Sequence, residues 1–382
     1  MEQVNMANQT VDLPHLPQLP SYTLKPVPPL LPWISDFHLS LLLPVAAYWF
    51  MSLIFWYIDK KDLWSQYRLH APAEFKQRNR VSQTEVLQSV IFQQAIQTGL
   101  GLLIGYLTSP GDLYGQEEYD IALWAGRVHQ ARGYVPWILA PIGIDAMTLS
   151  KQLQTFAVSL NSTVSASKPM ALVSQSLASQ FGQDTITGFA PWELSAAKLI
   201  YWVLEPGCRF GIAISFSDSW QYFWHRAMHT NKWMYRASPP SPSPTLHSPP
   251  PPQTLLQSLN CLLTVGNMHA HHHKIYVPYA FGAFYNTLSE AFLLDTIGTT
   301  LSLMLSGLTI RQTMCFSTIS VMKGVDDHCG YKLPWDPLQW GNEQNTQFHD
   351  IHHQSWRIKV SFLKLGGGGL IFCGEGRLSL TD

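Results

Sequence analysis

Between Phe37 and Ile58 the chain runs for 22 residues without a Lys, Arg, Asp or Glu. At about 1.5 Å per residue, a helix of that length extends roughly 33 Å, enough to cross the hydrocarbon core of a bilayer. Lipid offers the backbone no hydrogen bonds, so a segment placed there folds as a helix that satisfies its own amides. Asp59, Lys60 and Lys61 close the stretch sharply, since each charge near the middle of a span costs roughly 3 kcal/mol. Val86 to Leu107 is a second uncharged stretch of 22 residues. Its glutamines Gln88, Gln93, Gln94 and Gln97 mark it as a helix packed against other helices.

The segment from Lys60 to Glu85 carries Lys60, Lys61, Arg68, Lys76, Arg78 and Arg80 against three acids. The positive-inside rule puts it in the cytosol. Trp192 to Phe216 is apolar around Lys198, Glu205 and Arg209. Pro206-Gly207 interrupts it, so it reads as a helix or broken helix with one face on protein. Leu288 to Met322 has Glu290, Asp295 and Arg311 as its only charges and suits a helical hairpin. Val135 to Ala146, broken by Pro136 and Pro141, is too short to span and reads as re-entrant or interfacial. The expected fold is therefore all-α and multi-pass, with a transmembrane helical region over 36–216. Charged residues make up only 13%, against about 25% in a soluble domain. A formal net charge of −1 gives no reason to expect nucleic acid. Residues 1–35 are proline-rich, with no basic n-region ahead of an apolar core, and read as a flexible arm rather than a cleaved signal. Cys208, Cys261, Cys315, Cys329 and Cys373 are scattered, with no CxxC, as in a reducing compartment.

Eleven of the 15 histidines lie between His225 and His353. They are patterned as His225-x-x-x-His229, His269-x-x-His272-His273 and His349-x-x-His352-His353, with His328 alone in "VDDHCGYKLP". On a helix, positions i, i+3 and i+4 share a face. Three such helices packed together bring about eight imidazoles into one small volume, the ligand complement of two metal ions. Inward ligands on facing helices are how bundles hold a metal pair. A single zinc would leave most of these rings idle, and no HExxH occurs. Imidazole also suits copper, iron and nickel. A pair of irons accounts for the number. The lipid setting supplies a motive, because the C–H bonds of an alkyl chain yield only to an oxygen-derived oxidant on a redox metal. A histidine-rich transporter is disfavoured, since transporters bury polar ligands within their spans and these clusters lie outside the apolar stretches.

"SDSWQYFWHRAMHTNKWMYR", "HAHHHKIYVPYAFGAFYN", "EAFLLDTIGT", "VDDHCGYKLPWDPLQW" and "FHDIHHQSW" together resemble the fatty acid hydroxylase superfamily, and within it the fungal sphinganine 4-hydroxylase branch. The resemblance covers about 217–356. It implies hydroxylation of sphinganine or dihydroceramide at carbon 4, with O2 as co-substrate, two iron ions, and electrons from a cytochrome b5-type donor in the endoplasmic reticulum membrane. HPGG is absent, so the donor is expected to be a separate protein. By position the resemblance assigns His225, His229, His269, His272, His273, His328, His349, His352 and His353 as metal ligands. It leaves His271 and His247 without that role. Asp218, Asp326, Asp327 and Asp350 are expected behind the ligands, where metal-bound imidazoles commonly find a carboxylate; Asp327 serves equally as a turn cap. Tyr279, Phe281, Phe284 and Tyr285 are expected along a lipid channel or in the core. The histidine boxes are expected on the cytosolic face and Asn161, in an Asn-Ser-Thr sequon, on the lumenal side.

Two stretches depart from the family pattern. Residues 237–266 form a proline–serine-rich run between the first two boxes. Joining Arg236 to Asn267 restores the family's spacing, so the run reads as a retained intron. After Trp356 the chain passes into a tail, 357–382, with four consecutive glycines, Gly366 to Gly369. These departures raise the alternative of a defective family member. The other alternative is a hydroxylase of the same fold acting on a sterol intermediate or a fatty acid.

Overall fold

A computed structural model describes residues 16–108, 111–134, 141, 143, 188–231, 234, 268–340 and 345–354. Outside them lie most of the expected interfacial segment Val135–Ala146, Asn161, His247, the insertion 237–266 and the tail 357–382. The chain divides into two units at Pro26/Val27, Asp112/Leu113 and Gly207/Cys208.

In the first unit, strand β1 (Lys25–Pro26) pairs antiparallel with β2 (Leu113–Tyr114), Lys25 opposite Tyr114. Helix α4 (Glu117–Arg132) packs on the start of α5 (Pro191–Thr230) through Ile121, Ala125 and Ala197. Glu193, 1% exposed, is held by the backbone N–H of Ala190 at 2.9 Å, His129 at 2.9 Å and Arg132 at 3.3 Å.

In the second unit, α1 (Asp36–Lys60) starts at a Ser35 cap and α3 (Gln83–Thr108) packs beside it. The apolar run Leu288–Met322 divides at Gly307 into two helices, the second of which extends beyond it to Asp327. Helix α7 (Leu288–Ser306) ends at Gly307, whose φ of +64° is costly for any residue with a Cβ, and α8 (Ile310–Asp327) starts at a Thr309–Gln312 capping box. Helix α8 lies along α1. Tyr48, Phe55 and Ile58 of α1, Val86 and Val90 of α3, and Ile275, Phe281, Tyr285 and Val325 form the core. The Tyr48 hydroxyl donates to the Phe281 carbonyl at 2.8 Å.

Among the described residues, four helices, Asp36–Lys60, Gln83–Thr108, Pro191–Thr230 and Leu288–Ser306, are long and apolar enough to cross a membrane. The third differs from the sequence reading. Pro206-Gly207 does not break it; a π-helical turn at Ile200–Leu204 stands directly ahead and shifts the hydrogen-bond ladder where proline has no N–H to give. The helix therefore continues past Phe216 to Thr230 and carries His225 and His229 itself. A second π-helical turn, Phe292–Ile297, lies in α7, and its Leu293 carbonyl accepts from the Trp220 indole of α5 at 2.9 Å. Gly298 lets the helices close there, because a Cβ would stand 2.5 Å from the Trp220 ring.

The basic segment between α1 and α3 is fastened to the histidine-bearing segments. Arg80 N–H donates to Lys274 O at 2.9 Å, Leu69 N–H to Gly330 O at 3.0 Å and Lys332 N–H to Tyr67 O at 2.9 Å. His70, just before α2 (Pro72–Arg78), meets Asp350 on α9 (Thr346–His353) at 2.7 Å.

Candidate metal centre

The three histidine boxes sit on three elements: the end of α5, the short helix α6 (Met268–His272) with His273 just beyond, and α9. His328 follows the last residue of α8. Their rings gather into two groups of four, His225, His229, His269 and His352 in one and His272, His328, His349 and His353 in the other. In each group the ligand atoms all lie within 4.8 Å of one another. Nitrogens bound about 2.1 Å from one ion stand about 3–4 Å apart, so each group matches one coordination sphere. The boxes do not map onto the groups. His269 and His272 come from one box and part to different groups, as do His352 and its neighbours His349 and His353. His273 sits between the groups, its Nε2 3.0 Å from that of His269 and its ring centroid 4.8 Å from that of His353.

The hydrogen bonds on the far side of the rings reveal what they hold. Nδ1 of His272 faces the Tyr285 carbonyl at 3.2 Å, that of His328 the Gly324 carbonyl at 2.8 Å, and that of His353 the Ile275 carbonyl at 2.7 Å. A carbonyl only accepts, so each Nδ1 carries the proton and each Nε2 presents a bare lone pair. These Nε2 atoms nonetheless converge: His328 on His272 at 3.3 Å, His349 on His328 at 2.9 Å, His353 on His349 at 3.0 Å. One proton on His349 cannot satisfy all these contacts; a cation at their centre can. In the other group, the Nε2 atoms of His225, His229 and His352 form a triangle with sides of 2.8, 3.2 and 3.2 Å. The donor set therefore fits metal ions in both groups.

Electrostatics agree. Burial pushes His272 down to about 4 and His328 to about 3, and it holds His269, His273, His349 and His353 well below the ordinary histidine range. Repulsion among neighbouring rings deepens the effect for all of these but His272. The rings are thus neutral near pH 7, the form that binds metal.

The carboxylate behind this centre is one the sequence reading missed. Glu290, near the start of α7 and 1% exposed, receives Nδ1–H of His269 at 2.6 Å. The four expected carboxylates take other partners. Asp350 pairs with His70, Asp327 with Lys323, and Asp326 accepts from Gln339 at 2.8 Å, while Asp218 lies near Lys323 and Asp327. Asp350 follows His349 directly, and on a helix adjacent residues point apart. His271 stacks on Tyr285, centroids 4.3 Å apart, outside both groups. The expected channel aromatics are core residues here. Phe281 and Tyr285 are buried, and Phe284 and Tyr279 pack on Tyr48 and Phe75 at 5.6 and 4.9 Å.

The family model described as fatty acid hydroxylase matches residues 245–366, which takes in the second and third boxes and His328 but starts beyond His229. The sphingolipid C4-hydroxylase of Saccharomyces cerevisiae is 33% identical over 91% of this chain and 74% of its own length. That of Schizosaccharomyces pombe is 30% identical over 85% and 82%. Sphinganine C4-monooxygenase 1 of Arabidopsis thaliana is 28% identical over 86% and 83%. No solved structure matches the chain.

Proposed function

This chain belongs to the fatty acid hydroxylase family, and from that premise we propose that it hydroxylates carbon 4 of the long-chain base of sphinganine or dihydroceramide. It is a multi-pass membrane protein and an oxidoreductase of the monooxygenase class. The observation that carries the reading is the convergence of two four-histidine groups beside apolar helices long enough to span a bilayer. The names of the three relatives supply the substrate class.

The nine histidines His225, His229, His269, His272, His273, His328, His349, His352 and His353 would hold two irons. Bound there, the metal supplies an oxygen-derived oxidant able to break an unactivated C–H bond. The protein's part is to hold neutral ligands in place through Glu290 and three backbone carbonyls and to keep the site dry by burying their rings. The overall change balances as one C–H bond and O2, with two electrons and two protons, giving one C–OH and one water. A separate cytochrome b5-type protein supplies the electrons. The basic segment fastened to the histidine elements favours a cytosolic centre, in the endoplasmic reticulum membrane.

Expression in a host that lacks its own 4-hydroxylase, with long-chain bases measured by mass spectrometry, tests the substrate. A 4-hydroxylated base is expected. A hydroxylated sterol or fatty acid in its place would favour the alternative substrates, and no product would favour a defective member. Metal analysis of the purified protein should find about two irons per chain; one zinc and no iron would overturn the redox reading.

A further inference from the structure

On α3 and α7 stand polar side chains, two buried and two half-buried, that the metal centre only partly uses. Gln93 of α3 is 1% exposed, and neither end of its amide has a hydrogen-bond partner among the described residues. Gln97, one turn further along the same helix, points its amide at α7, 3.5 Å from both the Ala291 carbonyl and the Asp295 carboxylate. Glu290 spends one oxygen on His269 and leaves the other, buried, without a partner among the described residues. Glu290 and Asp295 are the only charged residues in Leu288–Ser306. Acids and unpaired amides inside an apolar helix pair are costly to keep, and they mark sites where something polar binds. Helix-joining glutamines would spend their hydrogen bonds across the interface; Gln93 spends none.

We infer that Gln93, Gln97, Glu290 and Asp295 seat the polar head of the long-chain base, with Asp295 facing its amino group and the two glutamines its hydroxyls. This rests on the carbon-4 reading above. Attack at carbon 4 fixes where the head must sit, because one hydroxyl is on the neighbouring carbon and the amino group is on the next. Head recognition therefore has to adjoin the metal ligands, and Glu290 does so through its 2.6 Å bond to His269. The chemistry also matches. An ammonium donates to carboxylates, and each hydroxyl both donates and accepts, as an amide does. A carboxylate-lined seat favours the free base over its N-acylated form, which has no cation to offer.

The test uses the full-length, iron-loaded protein in detergent with O2, a reduced cytochrome b5-type donor and sphinganine as substrate. Asp295→Asn and Gln97→Leu should each raise KM for sphinganine roughly tenfold or more while kcat and iron content stay near wild type. A fall in kcat at unchanged KM, or no change in either constant, would overturn the inference. Should Asp295→Asn fail to assemble, ligand-induced thermal shifts decide the matter with Gln97→Leu. Sphinganine should stabilise the wild type more than 1-octadecanol does, and the variant should narrow that difference; an unchanged difference would refute the seat. Wild-type protein that converts no long-chain base sinks the functional reading itself. Wild-type turnover with variants of unchanged KM sinks only the head-group seat.

Discussion

Replacing Glu290 by Gln should weaken one metal position and leave the other alone. The carboxylate and His269 are each 1% exposed and 2.6 Å apart, so solvent screens their bond little. The amide keeps an acceptor at the same place, so the loss is the difference between a charge-assisted and a neutral hydrogen bond, about 1–2 kcal/mol. That corresponds to roughly a five- to thirty-fold loss of affinity, within the range of about 10–100-fold, or slightly below it, for partners of metal-bound histidines. The effect belongs to the group of His225, His229, His269 and His352. In the other group, His272, His328 and His353 point their ring N–H at backbone carbonyls, which the substitution does not touch. Titrating metal-free protein with Co(II) against a competing chelator, and following the ligand-field bands, resolves the two steps. One step should weaken and the other stay. A parallel weakening of both steps, or none, would refute the assignment of Glu290 to a single group.

His272→Ala and His352→Ala should each abolish hydroxylation and lower bound iron, while His271→Ala keeps both and loses about 1 kcal/mol of stability with its stacked contact to Tyr285; equal loss in all three would refute the partition of the rings. Metal-free protein should lose stability as pH falls from about 6.5 to about 4. Burial holds His272 down at about 4 against an ordinary value of 6.5, so over that window the unfolded chain binds a proton that the native state refuses; thermal unfolding flat across it would contradict this. Deleting 237–266, which joins Arg236 to Asn267, should give at least the full-length turnover, measured as product per bound iron; a large loss would make the segment a working part of the enzyme.

Much of the architecture was legible because lipid and helical periodicity impose strong rules. The uncharged runs at 37–58 and 86–107 became helices, and the apolar run from Leu288 became two helices parted at Gly307, the second packed on α1 rather than back on the first. The i, i+3, i+4 spacing of the histidines made their convergence legible as well. It did not reveal how the rings partition. His269 and His272 share a face of α6 yet part to different groups, because that choice belongs to packing between elements far apart in sequence. The supporting carboxylate was missed for a related reason. Of Asp218, Asp326, Asp327 and Asp350, expected behind the ligands, Asp327 and Asp350 adjoin a histidine in sequence, and adjacent residues on a helix point apart. The available signal was cost: Glu290 is one of two acids in an apolar run, and a charge placed there needs a partner. The π-helical turns left no mark in composition, and the first of them carried α5 through Pro206 to His225.

The most direct test of the central claim is turnover of sphinganine by the purified, iron-loaded protein under 18O2 with a reduced cytochrome b5-type donor. The account predicts a product bearing one 18O atom, located at carbon 4 by fragmentation. A product labelled at another carbon, label taken from water instead of O2, or iron-loaded protein that leaves sphinganine unchanged would contradict it.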